Sequence, residues 1–448
     1  TAMSERLARF GKLGAEEVVG VLNATFSALI TTASEYGGDL LKFGGDALLL
    51  WFHGDDHVLR GAAAGAAMRN ELRTVGKRTT AAGRVALKMT VGVHTGSFDF
   101  FVAGTSHREL IIAGPAATAT VATEESAEAG EVLVSHAVAA GLPARHVGPP
   151  KGEGRLLRGN PVADQPGRPS TPPGIRLEQH IPTGLRPAVG SGGGEGEHRP
   201  TTIAFVKYTH IDGLLAAHGA ADLAQRFEHL IGRAQDACDE YEVTFLATDV
   251  DKDGGKIILT AGVPVASDAD DERMLLTVRT IIEGAPPVDV KIGVNRGRIF
   301  SADVGAPFRH TYTIIGDDVN LAARVMSQAD AGQILATLPV LNGSRTSFET
   351  TPIEPFMVKG KTDPVVAPNV GPATGSADEA ATAVELPLFG HRAELKLLRN
   401  GADSAAAGSG TGFEITGAPG IGKSRLVDEV IATDERLRWI SVVCERYH

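Results

Sequence analysis

Three groups of residues in this chain combine types and spacings that can do chemistry. Residues 417–424, GAPGIGKS, fit the pattern G-x-x-x-x-G-K-[ST] without a mismatch. Gly417, Gly420 and Gly422 let backbone N–H groups close on phosphate oxygens at a helix N-terminus. Lys423 is then expected to reach the β- and γ-phosphates and Ser424 the magnesium of a bound ATP-Mg. The apolar stretch FEIT before the loop and the amphipathic KSRLVDEVIA after it supply the strand and helix that this motif needs. In IIGDDVNLAARV, Gly316 opens a helix that sets Asn320 and Arg324 four residues apart, on one face. An arginine fork suits an anionic phosphate in flight; taken alone, the same spacing also describes an ordinary surface helix with acids at its positive end. Asp46 closes the turn Lys42-Phe43-Gly44-Gly45-Asp46. Its carboxylate is the donor a hard cation prefers, although a lone Asp in a glycine-rich turn is common without any ligand.

The elements that must position these residues are written twice. KMTVGVHTGSFDFFVAG (88–104) matches DVKIGVNRGRIFSADVG (289–305), with Gly92, Val93, Gly96 and Gly104 on Gly293, Val294, Gly297 and Gly305 at one offset. AGEVLVS (129–135) matches AGQILAT (331–337), and GAEEV (14–18) matches GAADL (219–223). The first copy reads as a helix over 15–36, a hairpin turned at Gly44-Gly45-Asp46, and a helix over 57–74. Strands KMTVGVHTG and ELIIA, a helix over 115–127 and strand EVLVS follow. This predicts an α+β fold, with helices on one mostly antiparallel sheet per copy. The Pro/Gly-rich stretch between the copies is a linker, within which IRLEQHIPTGL is expected to dock on one neighbour.

Length and composition agree. A chain of 448 residues suits about three domains. Apolar content of 43% with 22% charged residues is that of a globular protein. A net charge of −11 gives no reason to expect a nucleic-acid partner or an anionic membrane. Cys238 and Cys444 lack metal-ligand spacing and fit a reducing, cytoplasmic setting. Both ends look cut: TAMSERLARFGKLG enters a helix with no strand before it, and RWISVVCERYH stops inside an apolar run.

These motifs resemble the class III nucleotidyl cyclase family, in particular its soluble tandem members that continue into a P-loop, AAA-like ATPase. The resemblance implies two ferredoxin-like βαββαβ domains paired as an intramolecular pseudo-heterodimer, followed by the start of an α/β P-loop NTPase domain. The expected organisation is cyclase domain 1 over 1–163, a linker over 164–200, and cyclase domain 2 over 201–372. A second linker (373–385) leads to the truncated ATPase domain over 386–448.

The implied reaction turns ATP into 3′,5′-cyclic AMP and pyrophosphate with two Mg²⁺ or Mn²⁺ ions per cyclase site. Asp46 is the implied metal ligand; a second Asp would lie on a strand upstream of Thr1, so residues 1–448 alone are expected to be inactive. Asn320 and Arg324 would hold the ribose and the α-phosphate, Thr313 would read the base, and Lys359 and Lys361 would reach the triphosphate. The second copy puts Lys207 where an acid belongs and Gly254 opposite Asp46, and its Asp249, Asp251 and Asp253 are expected to form a solvated turn. The first copy puts Thr118 and Ala122 opposite Asn320 and Arg324. One shared cleft is then complete apart from the upstream acid, and the other is dead. Lys42 belongs to the dead cleft. A rival reading is a catalytically silent, nucleotide-sensing pair that regulates the ATPase.

Overall fold

The second copy builds one sheet from strands that alternate or run apolar, in the order β12-β13-β11-β14-β16-β18-β17, with β15 paired to β14. These strands are β11 (Glu197–Thr209), β12 (Thr244–Asp251), β13 (Gly254–Ala261), β14 (Asp289–Ala306), β15 (Arg309–Ile315), β16 (Ile334–Ala336), β17 (Thr346–Thr351) and β18 (Asn369–Ser376). β11 lies at the centre, antiparallel to both β13 and β14, and the β14–β16 pair is parallel. The computed structural model describes residues 11–45, 47–80, 83–167, 177–186, 196–306, 308–358, 361, 363–376, 392–416, 426–427 and 429–431.

Helix α5 (Ile211–Glu240) covers one face of this sheet because Leu223, Phe227, Leu230, Ile231 and Ala234 recur at helical spacing. Helix α6 (Asp270–Glu283) adds Met274, Leu275, Val278 and Ile281 to the same core. Helix α7 (Asp317–Gln328) buries Leu321, Ala322, Val325 and Met326, which leaves Asn320 and Arg324 half-buried on its other side. Gly293 permits that packing: a Cβ there would sit 2.0 Å from the Met326 nitrogen.

Among the described residues the first copy has α1 (Gly11–Glu35), β1 (Asp39–Gly44), β2 (Ala47–Trp51), α2 (His57–Val75), β5 (Val91–Val93), β6 (Asp99–Ala103), β7 (Glu109–Ala113), α3 (Pro115–Glu125), β8 (Val132–Ser135), α4 (His136–Gly141), β9 (Val147–Lys151) and β10 (Gly154–Leu157). An extra hairpin, β3 (Lys77–Thr80) with β4 (Gly83–Ala86), follows α2. The single sheet expected for this copy is not what forms. Among the described residues it is divided into β1-β2, β5-β8-β10-β9 and β6-β7, because no strand joins β2 to β5.

The copies exchange arms. Strands β6 and β7 place Phe101, Ala103, Ile111 and Ala113 in one core with Leu223, Phe227 and Leu230 of α5. The Phe101 and Phe227 rings meet edge to face at 5.1 Å, a geometry worth about 0.5–1.5 kcal/mol beyond burial. Reciprocally, Phe300, Ala302 and Val304 of β14 pack with Phe26 and Ile30 of α1. Both copies fall in one compact unit, Thr1–Thr374. The inter-copy segment docks on both neighbours rather than one. Leu185 is buried with Ile203 and Phe205 of the second copy, while the Arg108 N–H of the first donates to the Gln179 carbonyl at 2.7 Å.

The second unit, Gly375–His448, contains a helix α8 (Arg392–Ala406), whose Gly401 and Ala402 are buried. The phosphate-loop residues Gly417, Gly420, Gly422, Lys423 and Ser424 lie outside the described residues.

Candidate active site

Two groups of residues flank the point where the hairpins of the two copies meet, one at each of the expected clefts, and they differ in charge and contents. In the first, β1 approaches β12 closely: a Cβ on Gly44 would lie 2.8 Å from Asp249 Oδ2, so a larger residue there would displace that carboxylate. Lys42 Nζ donates to Thr248 Oγ1 at 2.5 Å and pairs with Glu109 Oε2 at 3.3 Å. Thr248 also donates to Glu109 Oε2 at 2.7 Å, and His107 Nε2 lies 3.3 Å from Glu109 Oε1. His107 is in turn held by Gln235 of α5, whose amide donates to the His107 carbonyl at 2.9 Å. Burial alone would push the Glu109 carboxyl up, but the Lys42 charge and the hydrogen bonds of His107 and Thr248 outweigh it and hold the group at about 2.

The rest of this cleft is equally committed. Asp251 accepts from Lys207 at 3.0 Å and from Lys256 at 3.3 Å. Asp249 is half-buried, and burial raises its pKa against the opposing Lys256 charge. The Asp253 backbone N–H donates to Thr118 Oγ1 at 2.9 Å, and the Asp253 carboxylate accepts the Asp212 N–H at 2.9 Å. The solvated turn expected for these three acids is therefore corrected: each is engaged, since arm exchange presses the turn against α3 of the other copy. An ammonium, Lys207, occupies the acid's place, so these residues do not fit a divalent ion. Among the described residues no group of three or more metal-ligating side chains occurs.

The second cleft lies between the β1–β2 hairpin and the β15–α7 segment. Leu40, Phe43 and Leu48 of the hairpin pack on the same apolar cluster as Ile315, the residue before Gly316. Arg309 Nη2 donates to the Leu40 carbonyl at 3.3 Å. Thr313 on β15 is buried and paired in register with Ala302. Asn320 and Arg324 follow on α7, and among the described residues nothing hydrogen-bonds the Asn320 amide side chain. Lys361 stands close enough to Asp318, at the start of α7, to oppose the rise that burial imposes on that carboxyl. A Cβ on Gly297 would fall 2.0 Å from the Asp318 carboxyl carbon, so this glycine makes room for the helix start. Thr313, Asn320, Arg324 and Lys361 thus belong to one region of the second copy. Asp46 and Lys359 lie outside the described residues.

The sequence reading missed the Glu109–His107–Thr248–Gln235 network. Its one visible signal was a carboxylate opening the apolar strand ELIIA.

A family model described as "Adenylate and Guanylate cyclase catalytic domain" matches residues 1–153 and again 196–367. Adenylate cyclase type 10 of Homo sapiens is 24% identical over 376 residues, covering 73% of this chain and 23% of the relative. An uncharacterised protein of Mycobacterium tuberculosis is 26% identical over 156 residues, 33% of this chain and 28% of that protein. The chain thus spans less than a third of the length of these curated relatives. Among solved structures, the adenylyl cyclase CyaB from P. aeruginosa is 21% identical, with a TM-score of 0.36 over 39% of this chain and 95% of that one. The guanylyl cyclase Cya2 is 24% identical, with a TM-score of 0.34 over 41% and 98%.

Proposed function

The chain belongs to the adenylate and guanylate cyclase catalytic domain family, and on that premise we propose that its two copies act as an intramolecular pseudo-heterodimer converting ATP to 3′,5′-cyclic AMP and pyrophosphate. The observation that carries this reading is the Asp253–Thr118 contact. Gly254 aligns with Asp46 and Thr118 with Asn320, so in this reading the pseudo-symmetric mate of that contact would set the Asp46 turn against Asn320. The shared packing of Leu40, Phe43 and Leu48 with Ile315 supports the same juxtaposition.

In this reading the Asn320 amide orients the ribose, and Arg324 meets the charge that builds on the α-phosphate as the 3′-oxygen loses its proton and bonds to phosphorus. The bond to the pyrophosphate oxygen breaks in the same step. Lys361 offers its charge to the triphosphate, and the buried Thr313 hydroxyl reads the adenine edge. Asp46 has the carboxylate oxygens that Mg²⁺ or Mn²⁺ takes, and two such ions, when bound, supply Lewis-acid activation of the hydroxyl and neutralise the leaving group. The C-terminal unit supplies a regulatory ATPase in an intracellular, cytoplasmic signalling protein, with Lys423 and Ser424 at its ATP-Mg.

A second reading, a silent nucleotide-sensing pair, is favoured by one observation. Lys207 and Lys256 are both committed to Asp251, and Lys252 is exposed at the turn, so the lysine that would partner Thr313 is not provided from there. Assays of the full-length protein for cyclic AMP and cyclic GMP with Mg²⁺ and Mn²⁺ separate the two. Turnover abolished by Asp46→Ala and by Arg324→Ala but kept by Lys42→Ala supports the cyclase. Silence from wild type and variants alike supports the sensor.

A further inference from the structure

The part of β14 that meets α7 is built from three alternate residues, Gly293, Asn295 and Gly297. Successive side chains on a strand point to opposite faces, so these three share one. The two glycines let the helix lie close: a Cβ on Gly293 would strike the Met326 nitrogen, and one on Gly297 the Asp318 carboxyl. Asn295, between them, is 2% exposed and puts an amide into a wall otherwise without side chains.

That amide is engaged at both ends. Asn295 Nδ2 donates to the Asp318 carbonyl at 3.0 Å, and the Thr337 hydroxyl donates to Asn295 Oδ1 at 3.0 Å. A carbonyl oxygen only accepts, so the NH2 end of the amide must face Asp318 and its oxygen Thr337. Thr337 is buried and stands at the N-cap of the short helix Leu338–Gly343, yet its side chain caps nothing there. A threonine in that place usually accepts a helix N–H; here the hydroxyl turns to Asn295. The Arg298 backbone N–H also bonds the Asp318 carboxyl, so the first turn of α7 is held to β14 by both main chain and side chain.

The first copy lacks this clamp where it also lacks Asn320 and Arg324. Gly96 faces Ala116 as Gly297 faces Asp318, so the two helices sit in the same register on their strands. His94 takes the place of Asn295, Ala116 that of Asp318 and Ser135 that of Thr337. Ser135 makes the ordinary cap, accepting the Val138 N–H at 3.3 Å.

We infer that Asn295, oriented by Thr337, is a positioning residue that fixes the start of α7 on β14 and so sets where Asn320 and Arg324 meet the nucleotide. Its effect on turnover rests on the cyclase reading, whereas the clamp itself does not. Misplacing a reacting group by about 1 Å can cost on the order of a hundredfold in rate, so a loosened helix start is felt in kcat before substrate affinity.

The test measures cyclic-nucleotide formation by the full-length protein beside amide exchange at residues 318–324. Thr337→Val keeps the side-chain shape but releases the Asn295 amide. It is expected to lower kcat about tenfold with KM for ATP within about twofold, and to speed exchange at 318–324 about tenfold. Thr337→Ser keeps the hydroxyl and should stay within about twofold of wild type in both readouts. Asn295→Leu removes both bonds and should fall below Thr337→Val. Ser135→Ala, which removes the matching hydroxyl of the first copy, should lower the urea midpoint but keep kcat. Wild-type kcat in folded Thr337→Val, a rise in KM alone, no rescue by serine, or unchanged exchange in α7 would overturn the inference. A silent wild type would sink the cyclase reading instead, and exchange in α7 would then decide the clamp by itself.

Discussion

Lys42 and Glu109 form an ion pair at 3.3 Å with both side chains about nine-tenths buried, at the junction of the two copies. Neither residue has a counterpart in the other cleft, where Val250 or Ala247 aligns with Lys42 and Thr311 with Glu109. The chain's own carboxylate therefore fills one cleft, while the other keeps an amide and a guanidinium on a half-buried helix face. That asymmetry governs what substitutions should do.

Removing one partner of the buried pair should cost far more than removing both. Glu109→Ala leaves the Lys42 ammonium buried against Thr248 without its counter-charge, a change worth about 3–5 kcal/mol. The double variant Lys42→Met with Glu109→Leu should lose much less, because no charge is stranded. Urea titrations of the single and double variants measure the difference, and equal losses would mean the pair is not a coupled unit.

The pH dependence follows from two groups of opposite sign. The Glu109 carboxyl is held at about 2 against an ordinary 4.5, so between those values the unfolded chain binds more protons and stability rises with pH. Its contribution is fully present above about 4.5 and is lost as pH falls through about 2. Burial lifts Asp270 to about 6 from 3.8, so the folded chain binds more protons in that window and stability falls as pH rises through it. Glu109→Gln should flatten the acid limb of the urea midpoint, and Asp270→Asn should flatten the decline toward pH 6.

Two glycines offer a matched pair. A Cβ on Gly293 meets the Met326 nitrogen of α7 at 2.0 Å, and one on Gly92 meets the Glu124 nitrogen of α3 at 2.4 Å. Each alanine variant should lose about 1–3 kcal/mol through overpacking. Only Gly293→Ala should also depress cyclic-nucleotide formation in the full-length protein beyond the loss of folded enzyme. The reason is that α7 carries Asn320 and Arg324 whereas α3 carries Thr118 and Ala122. Equal activity losses in the two variants would place no reacting group on α7.

Thr313 is predicted to set base preference. Thr313→Val keeps the shape of the buried strand position but removes its hydroxyl, which should lower cyclic AMP relative to cyclic GMP formation by about tenfold or more. Product ratios from mixed ATP and GTP at equal concentration measure this, and an unchanged ratio would remove Thr313 from base recognition.

Much of this protein was legible from residue order alone. Constant offsets gave the repeat, helical spacing gave α1, α2, α3 and α7 to within a few residues, and Gly316 with Asn320 and Arg324 marked the helix that matters. Local periodicity encodes these because each depends on neighbours a few positions apart. The arm exchange was not legible, since the match of Phe101 to Phe227 joins positions more than a hundred residues apart. Nor was the use of Glu109, which by itself is only a carboxylate at the start of a strand. Folding decided that it would face Lys42 and Thr248 rather than water, because closing the two copies on each other left no solvent to satisfy any of the three. Only the tertiary structure, likewise, could reveal the order β12-β13-β11-β14-β16 of the second copy's sheet, as strand order is a property of pairing across the chain and not of any single segment.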